Sequence, residues 1–540
     1  LGSADYEFIG RINGKPATLV GVFLQPGANA LEVGRQVRAT LAEVQKGFPP
    51  GLSMLIPYDT TRFVEVSIDG VIKTLVEAMV LVFLVVLLFL QTWRATLIPM
   101  LAVPVSLIGT FAGLLALGYT INTLTLFGLV LAIGIVVDDA IIVLENVERV
   151  MREEGLSPRD AAIRAMEQVT GPIIATSLVL TAVFIPVGFL GGLAGELYRQ
   201  FAVSISIAVL ISALVALTLS PALCAIILKP HEHSAGNAFT RAFNRWFAGL
   251  TQRYGKGVAF LLRRGGVAAV LFGGMLLVTG YLWKTTPNSL VPDEDQGYYI
   301  SAVFLPDGSS LERTDRVVNE VVKRIKSNPL NEDVVAFTGF NFFGGSYSNS
   351  AATLFVTQVP WDQRTLPSGA LVGEFYAKTQ DIKEALALAF MPPAIFGLGE
   401  AGGFEVNIQN RGEGGATRLG EVVQKFLAET EKDPDFKMAQ TLWRANTPQI
   451  RLDVDRDKAA QLGVPLDVLF GTLSATMGTY YVNDFNKYGR VWQVLMSSDS
   501  THRHSPDDIG RIMVRSNSGQ LIPISTLVTV QQSSGPDTVT

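Results

Sequence analysis

Six long apolar runs leave the first half of this 540-residue chain little choice of environment. They cover residues 71–90, 97–117, 124–144, 173–193, 201–228 and 267–283. Each is long enough to cross roughly 30 Å of hydrocarbon as a helix. One such run alone also fits a buried core helix. Six in close succession, joined by short connections, point to a membrane bundle. The chain is 49% hydrophobic and 17% charged, too apolar for an ordinary soluble multidomain protein.

The third run holds two adjacent aspartates, Asp138 and Asp139. A carboxylate at membrane depth costs about 2.5–3.5 kcal/mol on insertion scales. Two neighbours imply a proton site, because protonation relieves the desolvation of a buried carboxyl. Successive helix positions point about 100° apart, so the pair cannot share one proton face to face. The two are expected to converge on a cation from a neighbouring span, which would couple their titrations. The alternative is a pair satisfied by hydrogen bonds that fixes helix packing. Lys73, Arg94, Lys229 and Lys284 all lie at span ends, so the cation is expected outside this chain segment. Glu77, about one turn into the first run, reads equally as a second relay acid or as a near-interface residue that snorkels.

Loop charge sets the orientation. One set of alternate connections carries Arg94, then Arg149, Arg152, Arg159 and Arg164, then Lys229 and a further basic group from Arg241 to Arg264. The other set carries only Arg199. The basic set is therefore cytoplasmic, and residues 1–62 and those after 290 lie on the far side, the periplasm in a bacterium. Over residues 239–262, Phe239, Phe243, Trp246, Phe247, Leu250 and Tyr254 form an apolar stripe ringed by basic residues. Flanked by spans, this stripe predicts a helix lying in the inner-leaflet interface, in contact with membrane lipid, rather than a soluble packing helix.

The flanking blocks have soluble α/β character. Residues 18–24 and 53–57 read as strands, and Asn29 caps a helix from Leu31 to Val44. Tyr298–Phe304 reads as a strand, Leu305 to Ser310 as a turn and cap, and Leu311–Ile325 as an amphipathic helix. The same strand, turn and helix order on both sides of the membrane insert predicts a duplicated protein with βαβ units. The first block begins mid-pattern and the chain ends on polar residues, so an internal fragment is expected.

Residues 338–350 combine Gly339, Gly344 and Gly345 with Phe340, Phe342 and Phe343 and show no strand or helix periodicity. Glycine permits positive φ, and the rings offer apolar area, so a mobile lid or pocket lining is expected. The alternative is a local core. A net charge of −5 disfavours a nucleic-acid partner. The lone Cys224 excludes an intrachain disulfide, and the pairs His231/His233 and His502/His504 lack companion ligands for a metal. The segment 249–257 fails phosphate-loop spacing, which disfavours an ATP-driven pump.

Several motifs fall in one order along the chain. They include Asp59-Thr-Thr-Arg-Phe63, Lys73-Thr-Leu-Val-Glu77, Phe89-Leu-Gln-Thr-Trp-Arg94, Asn122-Thr-Leu-Thr125 and Val137-Asp-Asp-Ala140 with Glu145-Asn-Val-Glu-Arg149. Tyr198-Arg-Gln-Phe201, Ser220-Pro-Ala-Leu-Cys224 and Val291-Pro-Asp-Glu-Asp-Gln-Gly297 follow. Together they resemble the resistance-nodulation-division multidrug efflux pumps of the AcrB/MexB/MexF type, over essentially the whole chain.

The resemblance implies a bacterial inner-membrane antiporter, not an enzyme, that exports hydrophobic and amphiphilic drugs and takes its energy from the proton-motive force without a cofactor. It implies a homotrimer working with a periplasmic adaptor and an outer-membrane channel. The fold expected is an all-α membrane bundle, six of twelve spans, with periplasmic ferredoxin-like porter subdomains and a mixed α/β docking subdomain. Residues 1–62 would end a docking subdomain and supply the rear half of a porter subdomain, and 63–290 would be the membrane domain. Residues 291–397 would be a porter subdomain, 398–447 half of another, 448–531 the docking subdomain, and 532–540 a returning porter segment. Asp138 and Asp139 fall on relay positions, whose lysine and arginine partners belong to the other half. A chain of this extent is expected not to transport alone. Phe340, Phe342 and Phe343 fall on a switch loop with Gly339, Gly344 and Gly345; Phe355 and Phe390 match pocket aromatics, and Tyr481 falls near the pocket exit. Val335 and Leu388 replace phenylalanines of the best-known pump, and Phe343 replaces a small residue, so the pocket is expected to be reshaped. A metal-exporting relative is the nearest alternative, but its relay typically lacks the second aspartate and its path is methionine-lined. A non-transporting receptor or sterol-sensing module would not need the paired acid.

Overall fold

The computed structural model describes residues 8–25, 27–120, 122–229, 238–286, 294–393, 395, 406–434, 436 and 439–536. The His231/His233 pair and part of the Val291 motif lie outside them. The chain divides into two compact units, Val22–Glu294 and a second made of Leu1–Gly21 with Asp295–Thr540.

A short antiparallel pair, β1 (Ile9–Ile12) and β2 (Lys15–Pro16), opens the second unit. The first unit is helical: α1 (Ala30–Gln45), α2 (Thr60–Leu90), α3 (Trp93–Ala116), α4 (Thr123–Glu154), α5 (Pro158–Gly188), α6 (Gly192–Ile227), α7 (Ala238–Arg263) and α8 (Gly265–Thr285). Six of these, all but α1 and α7, are long and apolar enough to cross a membrane. Local chemistry sets the ends. Asn29, Asp59 and Ser157 each accept a backbone N–H at an N-terminus, and Asn122 and Thr125 form a reciprocal capping box on α4. The fourth apolar run does not reach residue 193, as the sequence led us to expect. The helix stops at Gly188, and a turn at residues 189–191 leads into α6. That turn is tight: a Cβ on Gly195 would sit 1.9 Å from the Leu190 carbonyl oxygen.

Every fourth residue along α6 is small and buried: Ser204, Ala208, Ser212, Ala216, Ser220 and Cys224. Such a ridge lets neighbouring backbones come close, the main source of helix adhesion where lipid removes the hydrophobic drive. Opposite Ser204 on α4 stands Gly128, where an added Cβ would lie 3.1 Å from the Ser204 Cβ and 3.3 Å from the Phe201 carbonyl oxygen. Ile207 and Ile211 of α6 fill the space left by Gly113 and Gly109 of α3.

Two expected strands do not form. Residues 18–24 and 53–57 make no ladder with any described strand, and Val20 and Phe23 are exposed. An extended segment needs a partner edge to become a strand, and apolar composition alone cannot supply one.

The second unit continues with β3 (Tyr298–Phe304), α9 (Leu311–Ile325), β4 (Asn331–Asn341), β5 (Ser346–Gln358), α10 (Ser368–Thr379) and β6 (Leu386–Phe390). Both β3 and α9 have the bounds read from sequence. An antiparallel sheet of order β2-β1-β4-β5-β3-β6 results. One face packs on α9 and α10 through Tyr299, Val303, Val321, Val334, Leu354 and Phe375. Near one end of β3, Asp295 accepts both arms of Arg364 (2.6 and 2.8 Å) and the Ser368 backbone N–H. Burial raises this carboxyl, but the Arg364 and Ser368 hydrogen bonds outweigh it and hold it well below the usual carboxylate range.

Further along come α11 (Gly415–Thr430), β7 (Thr447–Val454), α12 (Arg456–Gln461) and α13 (Leu466–Met477). A hairpin follows, β8 (Tyr480–Lys487) and β9 (Arg490–Met496), then α14 (Pro506–Gly510), β10 (Met513–Arg515), β11 (Leu521–Pro523) and β12 (Val528–Gly535). The hairpin turns at Tyr488 and Gly489, both at positive φ, as a two-residue turn between twisted strands requires. The β7–β12 pair, α12, α13 and the β10–β11 pair enclose a separate core around Leu469, Val514, Ile524 and Leu527.

Candidate functional site

Fifteen residues of α4 precede Asp138 and fifteen follow Asp139, so the pair occupies the middle of the helix. Helix geometry splits it. Asp139 is buried and turned to α6, where Ser212 Oγ lies 2.7 Å from its Oδ2. Asp138 lies on the exposed side of α4 in this chain and takes no hydrogen bond from a described residue.

Sequence reading looked for a cation and missed Ser212. The signal that would have found it is the four-residue spacing of small residues in the fifth run, which marks the face α6 turns inward. Ser212 Oγ also lies 3.2 Å from the Val136 carbonyl oxygen. This geometry suits a carboxyl that changes protonation state. When Asp139 is ionised, the hydroxyl donates to it. When Asp139 is protonated, its own O–H can donate to Ser212, whose hydrogen turns to the Val136 carbonyl. A rotation about one bond satisfies both states.

Glu77 is not drawn into this group. It is exposed, with Lys73 Nζ 4.0 Å away, while α2 packs against α4 and its neighbours through Val71, Leu75, Met79 and Val82.

The aromatic segment differs from the unpaired loop expected. Phe340 belongs to β4 and pairs directly with Tyr347 of β5, leaving residues 342–345 as the turn. Turn chemistry had hidden the strand: Gly339, at φ +95°, makes a bulge between Thr338 and Phe340, which breaks the alternation that reveals a strand in sequence. Gly345 takes φ +56° at the turn, and Gly344 donates its N–H to the Asn341 side chain.

The rings gather on the sheet face opposite α9 and α10. Phe342 is 6.0 Å from Phe355, 5.8 Å from Phe343 and 6.5 Å from Phe390, and Phe343 is 5.1 Å from Phe390, all between ring centroids. Phe337 links Phe355 to Phe8, and Tyr347 links Phe8 to Phe340. The five phenylalanines named from sequence thus belong to one network, half-buried, which also includes Phe8, Phe337 and Tyr347. Val335 pairs directly with Phe355, and Leu388 with Ala302, on the same face. Such a surface can hold apolar and aromatic molecules by area and ring contact without fixing their orientation. Tyr481 is elsewhere: it is exposed on β8, pairs with Leu495, and its phenol is raised by a hydrogen bond to Asp484.

A family model described as the AcrB/AcrD/AcrF family matches residues 1–540. The chain is 42% identical over 536 residues to the antibiotic efflux pump membrane transporter ArpB of Pseudomonas putida, covering 97% of this chain and 51% of that protein. It is 41% identical over 544 residues to the multidrug export protein AcrF of Escherichia coli, covering 98% and 52%. Identity to the toluene efflux pump membrane transporter TtgB of Pseudomonas putida is 42% over 536 residues, covering 97% and 51%. The chain spans about half the length of these curated relatives.

Proposed function

Because this chain belongs to the AcrB/AcrD/AcrF family, we propose that it forms part of a proton-driven exporter of hydrophobic and amphiphilic drugs in a bacterial inner membrane. The observation that carries this reading is the buried Asp139 at the middle of a membrane-length helix, with a hydroxyl partner that serves both protonation states. Proton arrival removes a charge from an apolar bundle, and departure restores it. That alternation can bias two arrangements of the helices. Asp138, on the open side of α4, is placed to meet a cation from spans beyond this chain. Glu77 stays outside the relay centre, near Lys73.

On the substrate side, the ring network around Phe342 is the drug surface. Phe340, Phe342 and Phe343, with Gly339, Gly344 and Gly345, act as the switch segment, and Phe355 and Phe390 as its floor. Tyr481 stands toward the exit. The complete protein would have twelve spans, periplasmic porter and docking subdomains, and a trimeric form joined to a periplasmic adaptor and an outer-membrane channel. Names of relatives as pumps for antibiotics, multiple drugs and toluene support a broad apolar cargo. A metal exporter fits less well, since an aromatic face offers no ligand for a cation of that kind.

Everted membrane vesicles carrying the full-length protein test this. A fluorescent lipophilic dye is expected to be pumped only under an inward-acid proton gradient, and that gradient to run down faster while dye is moved. Dye export that persists with Asp138→Asn and Asp139→Asn, or without the gradient, would overturn the reading.

A further inference from the structure

We propose that a groove between α5 and α6, at the end that loop charge places in the cytoplasmic leaflet, binds one anionic phospholipid. Its phosphate would rest on Arg159 and an acyl chain along the groove. The cavity measures about 580 Å³ and is lined by Arg159, Ala162, Ile163 and Met166 of α5 with Ala222 and Ala225 of α6. That lies within the roughly 300–1,000 Å³ of ordinary ligand pockets. Alanines make it: at three lining positions a methyl stands where a longer side chain would fill the furrow.

Its charges are unequally spent. Glu167, the acid on the wall, is held by Arg164 at 2.7 Å. Asp160, next to Arg159 in sequence, accepts from Ser157, and Glu153 and Glu154 face Arg149 and Arg164. Arg159 forms no ion pair or hydrogen bond with any described residue. A free guanidinium therefore stands in the first turn of α5, where the helix N-terminus adds positive potential. Guanidinium and phosphate match in charge and in bidentate geometry. Basic pockets between spans on the cytoplasmic side suit anionic headgroups.

The occupant is a lipid rather than a free phosphate because the floor beyond Arg159 is apolar. It runs onto exposed Ile163, Ile174 and Leu178 of α5, the kind of surface an acyl chain covers. The loop-charge orientation is all this inference takes from the functional reading, so it can fail or stand separately from drug export.

Full-length protein in nanodiscs of phosphatidylethanolamine with increasing phosphatidylglycerol provides the test, with retained lipid counted by native mass spectrometry. One phosphatidylglycerol per chain is expected. Arg159→Gln is expected to weaken it at least tenfold, and Ala222→Phe, which fills the furrow without altering charge, to do the same. Arg253→Gln on α7 is expected to leave it unchanged. If Arg159→Gln lowers thermal stability, the Ala222→Phe result decides. Equal retention of phosphatidylcholine, unchanged binding in Ala222→Phe, or displacement by excess inorganic phosphate would overturn the proposal. So would efficient cross-linking of Ile163→Cys to another helix of the full-length protein, which would show a protein segment in the groove.

Discussion

Ser212 Oγ on α6 sits 2.7 Å from Asp139 Oδ2 on α4, while Asp138, one residue earlier, takes no hydrogen bond from any described residue. Two carboxyls adjacent in sequence therefore stand in different surroundings. One is tied to its own bundle and the other is open to whatever packs on α4.

Removing the hydroxyl should weaken proton coupling without erasing it. A hydrogen bond to a charged group contributes about 1.5–3 kcal/mol, so Ser212→Ala in the full-length protein should slow proton-coupled export by roughly tenfold or more. Ser212→Thr keeps the oxygen and should recover part of the rate. Dye efflux from vesicles, followed across a pH series, checks both. Equal rates for wild type and Ser212→Ala would mean the contact is only structural.

The ring network predicts selective effects. Each aromatic contact contributes about 0.5–1.5 kcal/mol, so Phe342→Ala should change susceptibility roughly two- to tenfold for bulky aromatic drugs. Small solvents should be less affected, and proton flux without drug should stay at the wild-type level. Susceptibility testing over a drug panel, paired with a pH-probe assay, separates these outcomes. A uniform loss for every substrate would count against a drug surface here.

Close approach of α4 and α6 can be tested through stability. Gly128→Leu has no room beside Ser204 and the Phe201 carbonyl, and overpacking of this sort costs about 1–3 kcal/mol. A lower Tm in detergent is expected. Gly134→Leu, where nothing lies within reach of an added Cβ, should leave the Tm of this chain nearly unchanged.

The Asp295–Arg364 pair makes a prediction about acid. Its carboxyl is held low in the folded state, so the stability it contributes is complete above the unfolded carboxylate value, about 3.9. That stability is lost as pH falls from there toward the folded value. Asp295→Asn should lower stability at pH 7 and flatten the decline between about pH 4 and 2. Chemical denaturation of the full-length protein at several pH values reads this. Arg364→Ala, which leaves Asp295 unpaired, should cost roughly 3 kcal/mol, the low end for a broken buried pair because Asp295 keeps some contact with water.

Membrane-length runs and the β3–α9 unit could be read directly, because hydropathy and helical spacing are local properties. Asp138 and Asp139 were legible as a costly pair and as a divided one, since 100° per residue is also local. Ser212 was not, because its role depends on which face of α6 meets α4. Residues 18–24 show the same limit from the other side: the run is rich in apolar, strand-forming residues, but it makes no ladder with any described strand. The hairpin of β4 and β5 was missed through a single glycine, whose bulge interrupts the period of two.

That bulge has a further consequence, which is one of parity. Along β4, Phe337 points to the aromatic side and Thr338 to the helices, so an unbroken count would send Phe340 inward beside α9. The irregularity at Gly339, where φ is +95°, resets odd and even, and Phe340 comes up opposite Tyr347 on the same side as Phe337. Straightening the strand at Gly339 without changing its length would remove no ring, yet it would turn Phe340 toward the core that already holds Val334 and Leu354. The aromatic character of this face therefore depends on the backbone conformation at one position as much as on which residues the strand carries.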